Sequence, residues 1–121
     1  MFRAEVNKSR NLLKISYSRR VGPEETKRCA EEIRLLSADL TPGFRLLTNL
    51  TGLETMDLAC VPHIKGIMDL LNKKGVELVV RVIPDPGKDI GLNILSLFHY
   101  RRGVQIVTFE KLEEAMKVLA G

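Results

Sequence analysis

The sequence predicts an α/β fold, ββα(βα)3, with about four helices. Its sheet is mostly parallel, has five strands, and runs only the first of them antiparallel. Three observations carry this. The N-terminal segment FRAEVN alternates, with Phe2, Ala4 and Val6 to one side and Arg3, Glu5 and Asn7 to the other, as a strand with one solvated face does. VELVVRVI, from Val76 to Ile83, is a nearly unbroken apolar run rich in valine, the pattern of a central strand covered on both faces. From residue 23 onward, strand-like and helix-like segments alternate, and parallel neighbours need a helical crossover between them.

In chain order, KSRN turns the first strand into LLKISY, whose Leu13, Ile15 and Tyr17 share a face, so residues 2–17 read as an antiparallel hairpin. Gly22 and Pro23 open the first helix, and Glu24 and Glu25 occupy its first turn, where the helix dipole favours anions. Cys29, Ala30, Ile33, Leu36 and Leu40 form its apolar stripe, and Pro42-Gly43 ends it. FRLLTNL, from Phe44 to Leu50, is the next strand, and TGLETMD reads as a loop. The second helix runs from about Cys60 to Lys74 on the stripe Cys60, Ile64, Ile67, Met68 and Leu71, with Gly75 as its C′ residue. After the strand at 76–83, PDPGKD breaks the chain and Ile90 to Tyr100 reads as a helix. GVQIVTF is the last strand. Glu110 to Ala120 is the last helix, with Leu112, Ala115, Met116 and Leu119 facing inward.

The 121 residues make one domain, spanning 1–121, and a chain of this length buries a sizeable core without disulfides or metals. No segment approaches the ~20 apolar residues of a membrane span. The N-terminal MFRAEVNKSR lacks the apolar core of a signal peptide. With Cys29 and Cys60 the only cysteines, the expectation is a cytoplasmic protein in a reducing compartment. The net charge of +4 is spread over cation pairs such as Arg19-Arg20 and Arg101-Arg102 with acids between them. With no tryptophan, two tyrosines and four phenylalanines, there is no cluster for stacking bases, so nucleic acid is not an expected partner.

Order and local sequence together resemble the STAS domain of anti-sigma factor antagonists. The stretch from Leu46 to Ile83 carries the likeness, above all Met56-Asp57 and the run Lys73-Lys74-Gly75-Val76-Glu77-Leu78-Val79-Val80. The chain also looks like small stand-alone bacterial proteins of this fold with unassigned function, which share a PGF turn (Pro42-Gly43-Phe44), an Asn49, Thr51, Leu53 loop and a VVRV strand (Val79 to Val82). The resemblance implies a STAS-like fold and a regulatory role exerted through protein–protein interaction. In such relatives the loop and helix start around Asp57 meet the partner, which here implicates Thr51, Glu54, Thr55, Asp57, Leu58 and Pro62. One departure matters. The antagonists carry a phosphorylatable serine just after the acidic residue, and Leu58 stands there, followed by Ala59 and Cys60. None of the three has a hydroxyl, so that switch does not carry over, and Thr55 is the nearest substitute.

A reaction centre is hard to assemble. His63 and His99 fall on different helices, and neither has neighbours at metal-ligand spacing. Cys60 could be activated by a helix N-terminus, or could pack against the sheet with its stripe. PDPGKDIG lacks the phosphate-loop spacing, although a helix start after it could hold an anion. No enzyme, cofactor or metal is expected. The first functional expectation is a non-catalytic interaction module with another protein as partner, and a homodimer is left open. The alternative is a small-molecule or lipid carrier with a CRAL-TRIO-like fold, which requires a large apolar pocket beside the third helix, at 90–100. Leu58 could pack inward to close its loop or stand out as an apolar anchor.

Overall fold

A computed structural model describes residues 1–83 and 103–120. The turn expected at 84–89, the helix expected at 90–100 with His99, and Arg101-Arg102 lie outside the described residues. Within them the elements are β1 (Phe2–Asn7), β2 (Leu12–Val21), α1 (Pro23–Leu36), a 3-10 turn at Ser37–Asp39, β3 (Arg45–Met56), a second 3-10 turn at Leu58–Cys60, α2 (Val61–Lys74), β4 (Leu78–Val82), β5 (Gln105–Phe109) and α3 (Leu112–Ala120). The sheet has the order β1-β2-β3-β4-β5. β1 runs antiparallel to β2, and every other pairing is parallel, as the sequence predicts.

The sheet is covered on both faces, which explains the apolar run in β4. Val79 and Ile83 join Leu13, Ile15, Tyr17 and Leu46 under α1 and α2, whose Cys29, Ile33, Ile64, Ile67, Met68 and Leu71 complete that core. Val80 and Val82 point to the other face, where Leu12 and Leu47 meet Ala115 and Leu119 of α3. Arg81 is the exception in β4. It is buried, and its Nη2 donates to Thr108 Oγ1 on β5 at 3.0 Å.

Two expectations are corrected. Residues 51–56 are not a loop, because β3 continues through them to Met56. β2 is ten residues long and extends to Val21, so it offers β3 a parallel partner out to Val21↔Met56. The ladder shifts register between Ser16 and Ser18 and again between Arg19 and Arg20, and Arg19 adopts φ 57°. These irregularities replace alternation with the three-residue spacing of Leu50, Leu53 and Met56, and so hide the strand from a period-two reading. In α3, Leu112 and Met116 are not buried, although they line a groove over Leu47, Lys14 and Ser16 on the sheet. They remain exposed while Ala115 and Leu119 are buried, because a nine-residue helix seated on two residues leaves the edges of its stripe in solvent.

Gly75 ends α2 in the left-handed conformation at φ 94°, its N–H reaching Leu71 O and Asn72 O at 3.1 Å each. A Cβ there would lie 3.1 Å from Pro42 Cβ and 3.2 Å from Pro42 Cα. Gly75→Ala therefore combines the left-handed penalty with a clash, and is expected to cost about 2 kcal/mol or more in urea unfolding.

Candidate functional site

The site forms where β2 and β3 end together and the chain turns into α2. Val21 closes β2, and its carbonyl accepts both the Asp57 N–H at 3.1 Å and the Cys60 Sγ–H at 3.5 Å. The carboxylate of Asp57 then caps the turn, Oδ1 accepting from Ala59 N at 2.8 Å. The Asp57 carbonyl takes the Cys60 N–H at 2.9 Å, and the Leu58 carbonyl takes the N–H of Val61. This is an Asx-type turn, in which a short carboxylate satisfies amides that the helix start would otherwise leave open. Pro62 follows in the first turn of α2, where a missing N–H is harmless.

The clamp fixes the direction of Leu58. Its neighbour Cys60 is fully buried, whereas Leu58 is 85% exposed, the most exposed of the large apolar side chains described. The inward-packing alternative for Leu58 does not hold. Thr51, Glu54, Thr55, Asp57 and Pro62 are exposed too. Thr51, Glu54 and Thr55 lie on β3 rather than in a loop, and the Thr51 N–H is held by Asn49 Oδ1 at 3.1 Å. Beside them the ladder sets two exposed cations, with Arg19 opposite Leu53 and Arg20 opposite Thr55. The sequence reading missed both arginines. The signal that could have found them is that β2 carries on past Tyr17 through Ser18 to Val21. The surface therefore has a protruding leucine, the smaller apolar ring of Pro62, acids at 54 and 57, and a basic margin.

The buried thiols are structural. Cys60 packs with the core while donating to Val21, so the reactive alternative finds no exposed sulfur. Cys29 Sγ lies 3.7 Å from the Tyr17 hydroxyl. Burial pushes the Cys29 thiol up from 9.0 to about 11, against the Tyr17 hydrogen bond, with Glu32 and Glu25 adding to the rise. The folded state thus holds this proton more tightly than the unfolded chain. The resulting stability is complete below pH 9 and is lost as pH rises from 9.0 to about 11. Chemical denaturation across that window should show falling stability for the native chain and a smaller fall for Cys29→Ala.

His63 is half-buried on α2. Among the described residues no three His, Cys, Asp or Glu side chains gather as metal ligands. Between the sheet and α2 lies a cavity of about 30 Å³, lined by Ile15, Tyr17, Leu46, Thr48, Ile64, Ile67 and Met68. That is room for about one water. Among the described residues no helix is long and apolar enough to cross a membrane.

This topology is that of a STAS-like domain. A protein of the DUF3478 family with a SpoIIAA-like fold from Shewanella loihica superimposes with a TM-score of 0.73 at 15% identity, over 98% of this chain and 93% of that one. The anti-sigma factor antagonist SpoIIAA in its unphosphorylated form gives 0.69 at 18% identity, over 100% and 99%. An anti-sigma factor antagonist from Mycobacterium paratuberculosis gives 0.62 at 16%, over 100% and 96%. At these identities the likeness speaks for the fold, and function has to be argued from the site. No protein-family model and no curated protein sequence matches the chain.

Proposed function

We propose that the chain is a non-catalytic regulatory module that recognises another protein through the surface formed by Thr51, Glu54, Thr55, Asp57, Leu58 and Pro62. The observation that carries this reading is Leu58, held outward at 85% exposure on a turn closed by its own hydrogen bonds. An exposed leucine on a hydrogen-bonded turn, among polar groups, resembles the apolar centre and polar rim of a contact patch. Its position supports the same reading, because open α/β sheets bind ligands beyond the carboxyl ends of their parallel strands. Two of the structural neighbours are described as anti-sigma factor antagonists, and antagonism of that kind is recognition rather than turnover.

The reading includes a difference from a phosphorylated switch. One structural neighbour is SpoIIAA in its phosphorylated form, whereas the turn here, Leu58-Ala59-Cys60, offers no hydroxyl. Recognition through Leu58 is then constitutive. Mass spectrometry of protein from cells should find no stoichiometric phosphate on Thr55. The space under α2, about 30 Å³, falls far below the roughly 300 Å³ of a small ligand site, and the pocket beside the helix at 90–100 that a carrier would need lies outside the described residues.

A photoactivatable amino acid at position 58 tests the reading, with position 35 as control, because Leu35 is also an exposed leucine, at 69%, but lies on α1. In cells, position 58 should yield a discrete protein adduct and position 35 none. Adducts of equal pattern from both positions, or none from position 58, would sink it.

A further inference from the structure

We propose that the outer edge of β1 is a self-complementary docking strand, through which two copies of this chain join their sheets antiparallel about a two-fold axis at Ala4. Among the described residues β1 is the terminal strand of the sheet, with β2 as its neighbour. Met1 N donates to Ser18 O at 2.8 Å, and Ser18 N donates to Met1 O at 2.8 Å. The ladder then runs without a register shift from Phe2↔Tyr17 to Asn7↔Leu12. In an antiparallel ladder, inward-bonded residues alternate with outward ones. Arg3, Glu5 and Asn7 therefore bond to β2, while the N–H and C=O groups of Phe2, Ala4 and Val6 face the open edge.

Edge strands are usually blunted by proline, bulges, shortness or charged side chains, lysine above all. β1 has neither proline nor bulge, and its two central charges are opposite. Arg3 and Glu5 sit on the same exposed face, with Arg3 Nη2 3.9 Å from Glu5 Oε2. Of the ways to lay a second β1 alongside, the antiparallel register centred on Ala4 satisfies both the hydrogen bonds and the charges. Ala4 pairs with Ala4 and Phe2 with Val6 as hydrogen-bonded pairs. Arg3 faces Glu5 of the other copy twice, in the closely spaced non-hydrogen-bonded positions where cross-strand side chains interact most. Centring on Arg3 or on Glu5 would oppose like charges, as would a parallel arrangement in register. On the other face Phe2, Ala4 and Val6 are half-buried against the α1 and α2 core, and Phe2 against Val6 of the second copy covers what remains. The interface is isologous and joins the two sheets into one by strand addition. Its small area places it at the weak, reversible end of protein contacts.

Sedimentation velocity on the full chain, up to about 1 mM to reach such a contact, should show a reversible dimer. Glu5→Arg should weaken it about tenfold or more, and Arg3→Glu combined with Glu5→Arg should restore it, because the swap keeps every pair opposite. Ala4→Pro removes an N–H that points away from β2 and that the β1–β2 ladder does not use, so it should abolish the dimer while the urea midpoint stays. Should that proline disturb the fold, the charge series decides alone. A wild-type chain that stays monomeric overturns the proposal, as does a dimer indifferent to Glu5→Arg.

Discussion

Leu58→Asp combined with Thr55→Lys is expected to abolish partner capture while the protein stays folded. Leu58 is 85% exposed and Thr55 is exposed on β3, so neither contributes to the core, and surface changes of this kind stay within about 0.5 kcal/mol. An aspartate at position 58 also lies at a helix start, where the dipole tolerates an anion. Binding should respond very differently. Loss of an apolar anchor and insertion of a charge into a desolvating contact costs at least about 2 kcal/mol, roughly thirtyfold in Kd. The lysine adds a second perturbation, since Thr55 sits opposite Arg20 and the surface becomes more basic beside Glu54. Circular dichroism and urea unfolding of the variant check the fold, and a pull-down against wild type checks capture.

The largest effect on stability is expected at Phe44. It is the largest of the fully buried side chains described, and sits immediately before β3. Its carbonyl accepts the Glu77 N–H at 2.9 Å, so the residue joins the entry of β3 to the entry of β4. Phe44→Ala would leave a void that sheet and helices cannot close, at about 3–5 kcal/mol. For a domain whose whole stability is about 5–15 kcal/mol, that leaves little margin. Phe44→Leu keeps most of the volume and should cost much less. Urea midpoints of the two variants, at an unchanged slope, separate a packing loss from a change of fold.

The fold was legible where one physical pattern ruled a segment. β1 shows clean alternation because one of its faces is solvated, and the β4 run is apolar because both of its faces are covered. Gly75 marked the end of α2 because only glycine takes that backbone angle at little cost. Legibility failed where two constraints overlapped. The second half of β3 is bulged against β2, so its buried residues follow a spacing of three and imitate a loop. The stripe of α3 contained four apolar residues, but a short helix over Leu12, Leu47, Val80 and Val82 needs two of them. At the candidate site the sequence supplied the residues and not their directions. Asp57, Leu58 and Cys60 were all readable as a helix start, yet whether Leu58 or Cys60 points inward depends on the Asp57 cap and the two bonds to Val21. Those bonds in turn depend on β2 reaching Val21, which the sequence did not reveal.

Recognition through an outward Leu58 is tested most directly by affinity at that one side chain. The partner captured covalently at position 58 can be titrated calorimetrically against wild type, Leu58→Ala and Leu35→Ala. Both leucines are exposed, at 85% and 69%, so general surface hydrophobicity would make the two variants alike. A hot spot at Leu58 predicts a Kd raised about ten- to thirtyfold by Leu58→Ala and by less than about twofold by Leu35→Ala. Wild-type affinity in Leu58→Ala, or an equal loss in Leu35→Ala, would contradict it.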